Sequence, residues 1–514
     1  MADKKTFYIT TPIYYVNDVP HIGHAYTSLA CDVLARFKRL DGVEVMFLTG
    51  TDEHGQKVEK AAAAAGMEPQ TFCDKVSETF RELGKVMNYS NDDFIRTTEQ
   101  RHKKACQALW QKLEQNGHIY KGKYEGWYSV RDETFYGEKE LIEGQGGEKL
   151  APTGAAVEWV EEPSFFFKLS EWQDKLLKFY DENPGFVLPK TRFNEVKSFV
   201  KGGLRDLSIS RTSFQWGVPV PGHKDHIMYV WIDALTNYIS ALGYPDEQAE
   251  KFRKFWPGLN MVGKDILRFH AVYWPAFLMA AGVAPPARVF AHGWWTNEGQ
   301  KISKSLGNVI DPFELVEEFG LDAVRYFLMR EVPFGNDGDF SRSAFIHRIN
   351  GDLANDFGNL AQRCLSMIAK NCGGKIPSNQ DMTGDDKKQF LDNYEKILSG
   401  CRNWLDSQQI HNYLSLLWEG VSDANLYISN EQPWVLTKED PKRMEAVLYT
   451  TAEAIRRLAI LAQPVMPDAM NKMLDLLSVP EEQRTFVHLG DDFALKPGTP
   501  LPEPVAIFPR IQDH

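Results

Sequence analysis

The chain has 514 residues, 43% of them hydrophobic and 25% charged, enough to bury the cores of three or four globular domains. A net charge of −12 excludes a broadly basic, backbone-gripping nucleic-acid surface, so any role with RNA must rest on local features. Six scattered cysteines without a CxxC pair, and an N-terminus (MADKKTFYITTPIYY) with neither a secretion signal nor a transit pattern, predict reduced thiols and a cytoplasmic location.

Residues 7–15, FYITTPIYY, are β-branched and aromatic and read as a strand. Apolar residues from Ile22 to Leu40 fall at helical spacing, and Asp41-Gly42 stops the run. VEVMFL (43–48) predicts a second strand, closed by the turn-rich TGTDEHG (49–55) and followed by an Ala-rich helix. Alternating strands and helices imply a parallel sheet, whose ligands bind at the carboxyl ends of its strands; PHIGH (20–24) and GTDEHG both stand at that edge. Residues 118–225 break the rhythm with glycine, glutamate and aromatics, as an inserted domain would. The α/β pattern returns in HIMYVWIDALTNYISAL (226–242) and NMVGKDILRFHAVYWPAFLMAAG (260–282). Overlapping the latter, the apolar stretch 271–287 is short and rich in proline, which predicts a buried helix ending at its prolines and no membrane span. VFAHGWWTNEGQKISKSLGN (289–308) reads as a strand running into a loop, and residues 350–476 are mainly helical in period. The expected division is 1–117 and 226–290 for the two halves of an α/β domain, 118–225 for the insertion, 291–350 for the KISKS region, and 351–514 for an all-α bundle.

Two stretches carry chemistry. His21 and His24 flank Gly23 at a helix N-terminus, where ring N–H groups, backbone N–H groups and the positive end of the helix dipole favour an anion such as phosphate. A glycine between them lets a flat base or a phosphate approach the backbone. A capping histidine plus a core histidine at i,i+3 is the structural alternative, and no third ligand nearby favours a metal. Lys301 and Lys304, with Ser303 between them in KISKS, suit the phosphates of a departing pyrophosphate; a solvated basic loop is the alternative.

The conjunction of HIGH after the first strand and KISKS after the last resembles class I aminoacyl-tRNA synthetases. TPIYYVNDVPHIGHAYT, FLTGTDEHGQK, YVWIDALTNY, GKDILRFH, NLAQR and EQPWVL make the methionyl-tRNA synthetases the family the chain most resembles, nearly end to end. The resemblance implies a Rossmann-like catalytic domain with an inserted connective domain, then a helical anticodon-binding domain. It implies methionine activation by ATP with Mg²⁺, then transfer to initiator and elongator tRNA(Met). His21, His24, Lys301 and Lys304 would be catalytic. ATP would meet His21, Gly23, His24, Gly263, Asp265, Lys301, Ser303 and Lys304. Methionine would lie among Ile13, Tyr15, Asp52, Trp231, Ala234, Leu235, Tyr238, Ile266 and His270, in an environment of aromatic faces that suits a polarizable thioether. Arg211 matches a family arginine near the active site. Asn359, Arg363 and Trp434 would read the anticodon by hydrogen bonding and stacking.

The chain departs from many relatives in the connective domain, where Ser129 and Asp132 stand in place of zinc-binding cysteines. Residues 107–363 hold no cysteine, so a Cys₄ site there is impossible and no structural zinc is expected. The chain ends soon after the helical domain, without the dimerising module some relatives carry, which predicts a monomer. The synthetases for isoleucine, valine and leucine need a larger editing insertion than 118–225. A non-catalytic paralogue is disfavoured by the intact histidines and lysines.

Overall fold

The computed structural model describes residues 5–16, 19–132, 134–144, 146–302, 307–388 and 394–512. Seven parallel strands form its central sheet: β1 (Thr6–Thr10), β2 (Tyr14–Tyr15), β3 (Glu44–Asp52), β4 (Asp93–Arg96), β5 (Val187–Leu188), β6 (Leu259–Gly263) and β7 (Arg288–His292). The order is β5–β7–β6–β1–β3, with β2 and β4 both pairing on β3. The expected strand over 7–15 is therefore split at residues 11–13. Pro12 has no N–H to donate to a ladder, and the chain re-pairs at Tyr14↔Thr51 and Tyr15↔Asp52. The turn expected at 49–55 is shorter than its sequence suggests, because Leu48–Thr51 pair with β4 and carry β3 through to Asp52.

Helix α1 (Ile22–Leu40) packs beneath the sheet with Ala25, Leu29, Val33 and Phe37 fully buried. The apolar stretch at 271–287 forms a buried helix, Trp274–Ala281, after a π-turn over Phe269–Tyr273. It ends at Gly282 in the left-handed region (φ 78°), before the prolines, since glycine is the residue that takes a helix terminus there without strain.

Within 118–225, residues 119–208 form a four-stranded antiparallel sheet ordered Leu207–Ser208, Glu158–Phe167, Ile119–Ser129, Thr134–Tyr136, while Val187–Leu188 adds an edge to the central sheet. Phe135 packs on Tyr124 and Tyr128, and the buried Arg211 guanidinium lies 4.4 Å from its ring centre. Asp132 accepts from the Ser129-linked turn's neighbours: Tyr136 Oη at 3.0 Å, Thr153 Oγ1, and Arg131 Nε at 3.1 Å. After β7 the chain does not remain a loop: Trp295–Asn297 and Gln300–Lys301 form a hairpin, joined by Gly338–Phe340. The C-terminal part is a helical bundle in which the helices Pro433–Glu439, Pro441–Ala462 and Pro467–Leu476 each begin at proline, where a missing N–H costs nothing. No helix among the described residues is long and apolar enough to cross a membrane.

Candidate active site

A cavity of about 450 Å³ opens at the carboxyl end of the sheet, between α1, the end of β3 and the helices that follow residue 229. All nine residues expected around methionine line it, from Ile13 and Tyr15 to Ile266 and His270. So do His21, Gly23, His24, Gly263 and Asp265. Lys301 does not line it; it is exposed on the hairpin, with Nζ 5.8 Å from the Trp294 ring centre. Ser303 and Lys304 lie outside the described residues. Arg211 does not line the cavity either. It is buried against Tyr229 and Phe135 in the connective sheet and donates to the Ser208 hydroxyl and its neighbour's carbonyl.

The two histidines of PHIGH are locked by the backbone they cap. His21 is the N-cap of α1, and its Nδ1 accepts from Gly23 N–H at 3.1 Å. The His21 N–H in turn donates to His24 Nδ1 at 3.1 Å. A nitrogen that accepts carries no hydrogen, so each neutral ring holds its proton on Nε2. The capping alternative and the functional reading are thus the same geometry: Nδ1 caps the helix and Nε2 carries the hydrogen. Burial, helped by His21 beside it, holds His24 well below its ordinary 6.5, so it donates as a neutral group. Its ring meets Tyr14 and Phe80 edge-on at 4.8 and 5.2 Å.

Opposite, Asp52 ends β3 at 3% exposure. Trp231 stacks flat on Phe269, ring centres 3.5 Å apart. His270 Nδ1 donates to the Ile266 carbonyl at 2.9 Å, which leaves Nε2 to accept from Tyr238 Oη at 2.6 Å. Burial pushes His270 down to about 4, keeping it neutral and fixing that tautomer. Asp265 folds back over Gly263: a Cβ there would stand 2.5 Å from Asp265 Oδ1 and would push the carboxylate aside.

Besides Pro12 and Tyr14, which flank Ile13, four lining residues escaped the sequence reading: Thr27, Lys57, His292 and Trp294. Thr27 lies one turn beyond His24 on α1, and its hydroxyl donates to His292 Nε2 at 2.8 Å, since His292 Nδ1 donates to Gly293 O. Lys57 Nζ lies 5.3 Å from the Tyr15 ring centre. Trp294 donates from Nε1 to Asp265 Oδ1 at 3.1 Å, and Lys264 Nζ sits 4.4 Å over its ring. Helical spacing from His24 pointed to Thr27; nothing local marked the other three.

Far from the cavity, the helix Asn359–Asn371 carries Asn359 and Arg363 on one face. The Arg363 guanidinium lies 5.3 Å from the ring centre of Trp434, which is 46% exposed and so no core residue.

Residues 7–365 match the family model for class I tRNA synthetases (M), and residues 376–514 match the anticodon binding domain of methionyl tRNA ligase. The methionine–tRNA ligase of Rickettsia felis is 58% identical over 99% of this chain and 99% of its own. That of Mesorhizobium japonicum is 55% identical over 99% of each. Among solved structures, Mycobacterium tuberculosis methionyl-tRNA synthetase in complex with methionyl-adenylate superposes with a TM-score of 0.96 at 52% identity, covering 98% of this chain and all of that one. Its free state superposes with a TM-score of 0.90 at 48% identity over 99% of each. A parallel sheet with PHIGH at its edge, a helical bundle presenting Arg363 and Trp434, and full-length relatives of one kind converge: the chain belongs to the methionyl-tRNA synthetase family of class I.

Proposed function

We propose that the chain joins L-methionine to ATP as methionyl-adenylate, releasing pyrophosphate, and then transfers methionine to the 3′ end of tRNA(Met), serving initiation and elongation alike. The observation that carries this reading is a single cavity lined by both the HIGH histidines and the full set of residues expected around methionine. Catalysis is by position and charge, without a protein nucleophile. The Asp52 carboxylate takes the methionine ammonium, and the side chain lies against Trp231, Leu235, Tyr238 and His270. The methionine carboxylate then attacks the α-phosphate, and the bond to the β,γ-pyrophosphate breaks. The Nε2–H groups of His21 and His24 donate to the phosphoryl oxygens as charge builds on them. Because His24 is a neutral donor, compensation of the pyrophosphate charge falls to Lys301 and Lys304. Asp265 accepts from the ribose hydroxyls, held by Trp294. Mg²⁺ enters with ATP as part of that substrate. Asn359, Arg363 and Trp434 read the anticodon.

The connective sheet holds without zinc, its aromatic stack and the Asp132 hydrogen bonds standing where cysteines would bind metal. The protein acts as a cytoplasmic monomer, divided as 1–117, 118–225, 226–290, 291–350 and 351–514. The test is ATP–pyrophosphate exchange with each of the twenty amino acids and no tRNA. Exchange with methionine alone supports the reading. Exchange with another amino acid keeps the mechanism and discards the pocket. No exchange with any of them, in folded protein, overturns it.

A further inference from the structure

Behind the amino-acid side of the cavity lies a polar cluster that adenylate formation does not use. Asp233, His54 and His102 are all buried, none above 2% exposed. Asp233 Oδ2 accepts from His54 Nδ1 at 2.7 Å, and Oδ1 accepts from His102 Nε2 at 2.7 Å. On its far side His102 Nδ1 is 3.0 Å from the Ser240 hydroxyl, which donates to Asn237 O. Burial alone would raise the Asp233 carboxyl, but the two imidazoles outweigh it and hold it well below the ordinary carboxylate range.

Each member belongs to a different wall. His54 lies two residues beyond Asp52. Asp233 sits in the helix Val230–Leu235, between Trp231 and Ala234. Ser240 ends the turn that carries Tyr238, and His102 lies on the outer helix Gln100–Gln115. An apolar trio would fill the same space, but packing has no direction; a carboxylate that accepts on both oxygens fixes the angle between its donors. We infer that Asp233 is a positioning residue for methionine: with His54 and His102 it fixes the strand end bearing Asp52 against the helices bearing Trp231, Leu235 and Tyr238. The inference rests on the methionine reading of the cavity.

Cys106 Sγ lies 3.2 Å from His102 Nε2, so the trio His102, Cys106 and Asp233 has the residue types of a metal site. Its spacing argues against one. Ligand atoms about 2.0–2.3 Å from a tetrahedral ion stand roughly 3.3 Å or more apart, whereas the His102–Asp233 contact is 2.7 Å, a hydrogen-bond length. Burial, with Asp233 beside it, also raises the Cys106 thiol well above its ordinary value and keeps it protonated.

The test uses the full chain with His54→Ala, His54→Asn and Asp233→Asn, reading KM for methionine and KM for ATP separately in the exchange assay, with the melting temperature alongside. His54→Ala and Asp233→Asn should raise KM for methionine about 10- to 100-fold, the usual weight of a buried hydrogen bond to a charge, with KM for ATP within about threefold. His54→Asn keeps an N–H where Nδ1–H stood and should stay within about threefold of the native KM for methionine. Equal rises in both KM values, or His54→Ala indistinguishable from His54→Asn, would overturn the inference. If Asp233→Asn does not fold, the two His54 variants decide. Failure of the native protein to exchange with methionine sinks the pocket reading and this inference together; a negative variant pattern in an active protein sinks the clamp alone.

Discussion

At Gly23 a methyl group would stand 2.9 Å from His21 Cε1 and 3.2 Å from its Nδ1. The glycine of PHIGH therefore serves the protein before any ligand: it makes room for the ring that caps its own amide. Gly23→Ala should displace that ring and its Nε2–H, lowering kcat of exchange about 10- to 100-fold with KM for methionine nearly unchanged. A larger effect on KM would place the defect in ground-state binding instead. His270 gives a second residue-scale expectation, in pH. Its folded value of about 4 lies below the ordinary 6.5, so the unfolded chain binds a proton that the folded chain refuses. Stability is complete above about 6.5 and falls as pH drops toward 4; at pH 5 this one group costs about 2 kcal/mol. His270→Gln should flatten the decline in urea midpoint between pH 7 and 5, and an unchanged slope would refute the assignment.

Helix α1 does two jobs along its length. Its first turn presents the histidines, and three turns on it buries Asp32, which accepts from Arg325 at 2.7 Å and Arg36 at 2.8 Å. Arg325 is fully buried and also donates to the carbonyls of Met87, Pro464 and Val465, so one guanidinium ties α1 to the helix Leu321–Arg330 and to the C-terminal bundle. Arg325→Met would leave Asp32 with Arg36 as its one remaining ionic partner and three carbonyls without this donor. We expect a loss of about 3–5 kcal/mol, read as a lower urea midpoint of the transition. A neutral result would mean water or Arg36 takes over. In the bundle, two helices from distant sequence bring Arg363 over the exposed Trp434. A base stacked there is worth about 1–3 kcal/mol, so Trp434→Ala should raise KM for tRNA at least fivefold or so while exchange without tRNA keeps its native rate. Loss of exchange would instead make Trp434 a structural residue.

For the molecule as a whole, the connective domain and the oligomeric state make one joint expectation. Elemental analysis of pure protein should find no stoichiometric zinc, and light scattering at micromolar concentration should give the mass of one chain, 58.6 kDa. One zinc per chain would mean that ligands other than cysteine, such as Asp132, bind it. A doubled mass would place an interface on the exposed surface.

Local signals carried much of this. The helix at 22–40, with its Asp41-Gly42 stop, follows from apolar period and turn chemistry, both properties of neighbouring residues. That PHIGH and the residues expected around methionine meet at one cavity was legible because family motifs keep their order along the chain. What the sequence could not determine depended on partners distant in the chain. The strand break at Pro12 and the continuation of β3 through Asp52 are decided by which strand stands alongside. Arg211 was expected near the active site; it packs on Phe135 and Tyr229, far from it in sequence, and does not itself line the cavity. Trp294 and His292 lie near Lys301 in sequence, and only the folded sheet brings them to the cavity. The Asp233 cluster joins residues 48 to 179 positions apart; none of its members is marked by its neighbours, because a buried hydrogen bond is a property of the space between elements and not of either strand of sequence that meets there.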